Sequence, residues 1–210
     1  MSYPFDDALR REIAGRCAAF SRLPAGDATR ALKPAAVAIT LVEAQDGSGS
    51  AAFLLTRRAA GLRAHRNQWA LPGGQCDRGE TLVAAALREL DEELGLTVHP
   101  DAVLGLLDDY PSRSGYLITP VVVWAGSDPP IRANPEEVAS VHRIALAEIT
   151  RPDVADFVSI PESERRVVRI HIADSIIHAP TAAVIYQFGE LLAGRTTRVA
   201  DLEQPVFAWK

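Results

Sequence analysis

The sequence predicts an α/β fold, an α/β/α sandwich in which helices cover a mixed β-sheet. Short β-type runs alternate along the chain with stretches of helical periodicity, a pattern that buries its apolar faces by laying helices on a sheet. The 210 residues suffice for one domain with a sizeable core. Hydrophobic residues at 48% and charged residues at 23% are those of an ordinary globular chain and exclude a disordered or fibrous one.

Leu9, Ile13, Cys17 and Phe20 recur at helical spacing and predict an amphipathic helix over about 5–22, ended by Pro24-Ala25-Gly26. From Pro34 the texture becomes β-like. The runs Ala36 to Glu43 and Ala51 to Thr56, separated by Asp46-Gly47-Ser48-Gly49-Ser50, read as a hairpin. A polar and basic stretch, Arg57 to Gln68, leads to Pro72-Gly73-Gly74 and to a helix from about Thr81 to Leu94, with Gly95 where a left-handed cap is expected. Strands follow at Val103 to Leu107, Leu117 to Trp124 and Val138 to Ile144. Val167 to Ile172 and Ser175 to His178 form a second hairpin before a closing helix over Thr181 to Leu192. This hairpin and helix make an extension over about 160–195, and the whole chain, 1–210, is assigned to a single domain.

A net charge of -5 argues against non-specific nucleic-acid binding, so an anionic substrate must meet local positive charge or a metal. Cys17 and Cys76 lie far apart and form neither a disulfide framework nor a metal-ligand pair, which points to the cytoplasm. The first seven residues are acidic rather than basic, and no apolar run is long enough to span a bilayer, so no membrane partner is expected.

On the helix from Thr81 to Leu94, Val83, Leu87, Leu90 and Leu94 share an inward stripe, while Glu89, Glu92 and Glu93 share another face. Like charges at this spacing destabilise an isolated helix by roughly 0.2 to 0.5 kcal/mol per pair, and acids in the last turn oppose its dipole. A bound hard cation such as Mg²⁺ reverses that sign, because it takes oxygen ligands. Arg88 offsets part of the charge, for example by pairing with Glu92.

The segment Gly74-Gln75-Cys76-Asp77-Arg78-Gly79-Glu80, seven further residues, then Arg88-Glu89-Leu90-Asp91-Glu92-Glu93-Leu94-Gly95-Leu96 resembles the Nudix box at every defining position. The resemblance implies a Nudix-type sandwich and a loop-helix-loop that hydrolyses a diphosphate bond with Mg²⁺ or Mn²⁺. In it Glu89, Glu92 and Glu93 would be metal ligands, Arg88 and Glu80 would orient and buffer them, and the glycines Gly73 and Gly74 would let the backbone approach the diphosphate. Such chemistry needs position and charge rather than a covalent nucleophile. For the base that accepts the water's proton there are two candidates, Glu93 and Glu137, the latter from Asn134-Pro135-Glu136-Glu137-Val138 before a strand.

Upstream, Leu54-Leu55-Thr56, Arg58, Arg63 and the approach to Pro72-Gly73-Gly74 are similar to the segment that marks the coenzyme A diphosphatase branch of that family. Three positions depart: Ala59 stands for Ser, Asn67 for Gly and Leu71 for Phe. The branch implies that Arg58 and Arg63 bind the substrate's phosphates, for which Arg is suited by its bidentate geometry. His65 and Arg66 read as surface charges, and Trp69 as a core or loop anchor. The implied substrate is coenzyme A or an acyl derivative. Rivals are ADP-ribose, a dinucleotide or a nucleoside triphosphate, and, in another class, a sensor that binds such a ligand without cutting it. The segment Ile176 to Thr181 is left open between a substrate pocket and a homodimer contact.

Overall fold

The computed structural model describes residues 2–24, 26–61, 67–172 and 174–208. In chain order its elements are α1 (Asp7–Ala19), β1 (Lys33–Glu43), β2 (Ala51–Arg58), β3 (Trp69–Ala70), β4 (Gly73–Gln75) and α2 (Leu82–Leu94). There follow β5 (Val103–Leu106), β6 (Tyr110–Pro111), β7 (Tyr116–Gly126), β8 (Val138–Ala145), α3 (Leu146–Ile149), β9 (Ala155–Ile160), β10 (Ser163–Ile172), β11 (Ser175–His178) and α4 (Thr181–Leu192).

β1 organises the main sheet. Along one edge it runs parallel to β7 from Lys33 opposite Tyr116 to Val42 opposite Gly126. On its other edge it pairs antiparallel with β2 near its end and with β4 near its start. β8 and β3 extend the sheet from β2, and β5 and β6 from β7, all antiparallel. The parallel pair requires a crossover, and α2 lies within it.

Alternation along the strands divides the core in two. Ile39, Leu41, Phe53, Leu55 and Val122 face a cluster shared with α1, α4 and the second sheet. Ala38, Val42, Leu54, Val121 and Val123 face a cluster shared with Ala86, Leu90 and Leu94 of α2. The architecture is therefore the α/β/α sandwich with a mixed sheet that the sequence predicts. Val83 packs against the α2 cluster yet stays half-buried, so the inward stripe is carried by Ala86, Leu87, Leu90 and Leu94.

One difference concerns the C-terminal extension and another the N-terminal helix. The hairpin of β10 and β11 gains a third strand, β9, to make an antiparallel sheet. Asp156 breaks the apolar pattern of β9, but Arg169 opposite it donates from Nε at 2.8 Å and holds its carboxyl below the usual carboxylate range. Phe20 is buried as expected but caps α1 rather than belonging to it.

Candidate active site

α2 is delimited by its caps. The Thr81 hydroxyl accepts from the Ala84 N–H at 3.1 Å, and Gly95, at φ 60°, donates its N–H to the Asp91 carbonyl at 2.8 Å. On the surface of α2, Arg88 forms a hub. Its Nη1 donates to Glu89 Oε1 at 2.9 Å and Glu92 Oε2 at 2.8 Å, while its Nε and Nη2 hold both oxygens of Glu80 at 3.0 and 3.1 Å. Nη2 also reaches the Gln75 carbonyl at 3.1 Å, and Glu80 Oε2 accepts from the Asp77 N–H at 2.9 Å. Loop and helix are thus clamped together, and Arg88 keeps the Glu80 carboxyl below its ordinary range.

Glu93 is different. It is only 4% exposed, and burial pushes its carboxyl up to about 8, helped by the charges of Glu89 and Glu137 and opposed by Arg58 and by the Gly73 N–H that donates to it. Glu89 is likewise raised by burial against the pull of Arg88, with Glu92 and Glu137 adding to the rise. The structure therefore brings Glu89, Glu92, Glu93, Glu137 and Arg58 into one electrostatic neighbourhood.

Glu137 reaches this patch through backbone bonds. The carbonyls of Glu93 and Leu94, left over at the end of α2, accept from the N–H groups of Asn134 and Arg132 at 2.8 and 2.7 Å. A turn on the Asn134 carbonyl then returns the chain through Glu137 to β8, and the Ala59 N–H donates to the Glu137 carbonyl at 2.8 Å. The half-buried Glu137 side chain stays accessible to solvent.

Gly73 and Gly74 are needed for two separate reasons. A Cβ on Gly73 would sit 2.3 Å from the Ala36 carbonyl oxygen and 2.6 Å from the Val37 Cα, whereas one on Gly74 would sit 2.3 Å from Glu89 Oε1. The first contact is with backbone and the second with the movable end of a side chain. Gly73→Ala is therefore expected to destabilise the fold by about 1 to 3 kcal/mol or more. Gly74→Ala should leave the melting temperature almost unchanged while lowering turnover, because it displaces Glu89. Thermal melts and initial rates on the same preparations check this, and a Gly74→Ala protein with normal turnover would contradict it.

Arg58 ends β2 with its Nε buried and without a hydrogen-bond partner. It lines a cleft of about 320 Å³ together with Gly73, Gly74 and Trp69. Trp69 is an anchor, as the sequence suggests: its ring meets His142 edge-on at 4.7 Å, Arg57 lies over it at 5.0 Å, and its carbonyl accepts from the Thr181 hydroxyl at 3.3 Å. It also lines the cleft, a position that its burial pattern alone does not reveal. Arg63, with His65 and Arg66, lies outside the described residues.

The three upstream departures have local explanations. Asn67 takes φ 56°, the left-handed conformation that glycine adopts freely and that asparagine tolerates best among the other residues. Ala59 and Leu71 are both buried, where an alanine methyl and a leucine side chain satisfy packing without a polar partner. Pro180, Thr181 and Val184 complete the cleft wall. Of these, the sequence singles out only the segment ending at Thr181, because Val184 reads as one more apolar position of a helix.

The donors on α2 fit a hard divalent cation: they are oxygens only, anionic and clustered, and two of them carry raised carboxyls that a cation would relieve. Among the described residues no three His, Cys, Asp or Glu side chains converge on one point. Arg88 draws Glu89 and Glu92 to itself, so cation binding requires these two carboxylates to turn away from Nη1.

Comparison with known proteins places this geometry. Residues 32–161 match the family model described as NUDIX domain. A protein of Photorhabdus laumondii called uncharacterized Nudix hydrolase NudL is 35% identical over 141 residues, 66% of this chain and 75% of that protein. A Cronobacter sakazakii protein of the same description is 44% identical over 100 residues, 47% of this chain and 52% of its own length, so the match spans only about half of that relative. Among solved structures, a MutT/nudix family protein from Enterococcus faecalis has a TM-score of 0.55 at 20% identity, covering 90% of this chain and 75% of that one. The Nudix hydrolase RenU from M. smegmatis has 0.54 at 22%, covering 77% and 86%. These two show the fold. Family model and relatives define the class, the Nudix hydrolases, whose members act on phosphoric anhydrides and generally use divalent cations. The chain belongs to the Nudix hydrolase family. None of its described helices is long and apolar enough to cross a membrane.

Proposed function

We propose that the protein hydrolyses the diphosphate of coenzyme A or an acyl derivative in the cytoplasm, yielding 3′,5′-ADP and 4′-phosphopantetheine or its acyl form, with Mg²⁺ or Mn²⁺. The observation that carries this reading is Arg58, which holds the first arginine position of the upstream pattern. Its buried, unpaired Nε stands beside Glu93 and the cleft. An unsatisfied buried guanidinium N–H is costly, and a phosphate oxygen satisfies it with a charge-assisted bond.

In the mechanism we infer, Glu89, Glu92 and Glu93 would hold the cation, which when bound would supply charge neutralisation at the diphosphate and a lower pKa for the attacking water. Glu137, accessible and beside the ligands, takes the water's proton. The water oxygen bonds to one phosphorus as that phosphorus loses its bond to the bridging oxygen, which departs with the other phosphate. Arg58 binds a non-bridging oxygen. Gly73 and Gly74 leave room for the phosphates, and Arg88 with Glu80 positions the ligand-bearing helix against the loop.

Incubation with Mg²⁺ or Mn²⁺ and a panel of coenzyme A, acyl-coenzyme A, ADP-ribose, a dinucleotide and a nucleoside triphosphate, read by mass spectrometry, tests the substrate. We expect 3′,5′-ADP from coenzyme A at the highest kcat/KM. A higher value for another compound reassigns the substrate, and binding without cleavage of any of them makes the protein a sensor. For the base, Glu137→Gln is expected to lower kcat by about 10²-fold or more with KM little changed and the acidic limb of the pH profile altered. Unchanged turnover across pH removes that role from Glu137.

A further inference from the structure

The cleft beside Gly73 and Gly74 has a wall that the family match does not reach. One side is sheet, with Val37 of β1 and Ile118 of β7, and the other is the start of α4, with Pro180, Thr181 and Val184. The family model ends at residue 161, so the α4 wall lies outside the matched residues, in the C-terminal extension. Among the described residues lining the cleft, Arg58 alone carries a formal charge, and it marks the end near the carboxylates. The remaining polar groups are amides and hydroxyls, including Ser114, Thr181 and Gln75. At about 320 Å³ the cleft is at the small end of ligand pockets, of order 300 to 1,000 Å³, and holds one arm of a dinucleotide-sized substrate rather than the whole molecule. Arg57, a cation, and His178, whose imidazole burial holds below its ordinary range, line a neighbouring cavity that shares Trp69, Pro180 and Thr181.

We propose that this cleft, closed by the N-terminal turn of α4, binds the uncharged arm attached to the diphosphate and makes Val184 and Ile118 specificity-determining residues. A phosphorylated nucleoside would bring more negative charge than the one arginine among the described lining residues compensates. A neutral chain that combines branched alkyl groups with amides matches apolar walls studded with neutral hydrogen-bonding side chains. The proposal rests on the coenzyme A reading, in which that arm is pantetheine.

The two halves of the substrate separate the possibilities. Calorimetric titration of the full chain with 4′-phosphopantetheine, and separately with 3′,5′-ADP, reads binding without turnover. Val184→Phe, which narrows the cleft from the helix side, is expected to weaken 4′-phosphopantetheine by about tenfold or more and 3′,5′-ADP by less than about twofold. Ile118→Trp should do the same from the sheet side, which keeps the test decisive if Val184→Phe fails to fold. A parent protein that does not bind 4′-phosphopantetheine, or variants that weaken both ligands equally or neither, overturns the proposal. Hydrolysis of coenzyme A by the parent is scored apart: its absence, with 4′-phosphopantetheine binding and the split intact, sinks the substrate reading and leaves the cleft assignment standing.

Discussion

Glu93→Gln and Glu92→Gln are each expected to lower turnover by at least about 10²-fold, since changes to groups that merely support metal ligands already cost about 10- to 100-fold. What makes the pair informative is the stability expected alongside. Glu93 is 4% exposed, and both burial and Glu89 disfavour its charge. Glutamine keeps an acceptor for the Gly73 N–H and removes that penalty, so cation-free Glu93→Gln should melt at the parent temperature or above it. Glu92 is 54% exposed and loses only one helical ion pair to Arg88, worth about 0.3 to 0.5 kcal/mol. Both proteins should therefore fold, with inactivity assignable to lost ligands. Rates over a Mg²⁺ titration, with thermal melts in chelator, check this. Parent-like turnover in either variant would remove that residue from the metal site.

The same contrast explains what was legible in the sequence. Glu89, Glu92 and Glu93 sit within a helix whose caps, Thr81 and Gly95, are local signals, so spacing alone places them on one face. The difference between them is not local. Glu93 is buried because Gly73 and the loop through Asn134 close over the end of α2, contacts that spacing cannot show. Glu137 illustrates the intermediate case, since the sequence offers an acid before a strand and only the bonds from Asn134 and Ala59 bring it to the patch. Strand β9 escaped detection because Asp156 interrupts its pattern, and the compensating Arg169 lies on another strand. The cleft is the extreme case. Val37, Ile118, Trp69 and Val184 are apolar residues on four different elements, and nothing in a linear pattern distinguishes a wall from a core.

Glu203→Gln is expected to cost up to about 3 kcal/mol of stability at neutral pH and almost nothing near pH 2. Glu203 is 2% exposed and ties the segment after α4 to the rest of the fold. Arg113 donates to both its oxygens, through Nη2 and from Nε at 3.0 Å. Ser163 of β10 adds a bond at 2.8 Å and the Gln204 N–H one at 3.0 Å. Arg113, more than these lesser bonds, holds the carboxyl down at about 2. The unfolded carboxyl titrates near the ordinary 4.5, so the unfolded state binds the extra proton between the two values. Stability from this group is therefore complete above about pH 4.5 and lost as pH falls through 2. Because Arg113 is 47% exposed, solvent screening makes 3 kcal/mol a ceiling. Urea unfolding of parent and Glu203→Gln between pH 2 and 7 should give curves that diverge with rising pH, and parallel curves would refute the assignment. The consequence reaches the cleft. Gln204, adjacent to this hub, accepts from the Arg113 N–H and lines the cleft, so the carboxylate that fastens the C-terminal segment also fixes part of the wall against which the substrate's arm is proposed to lie.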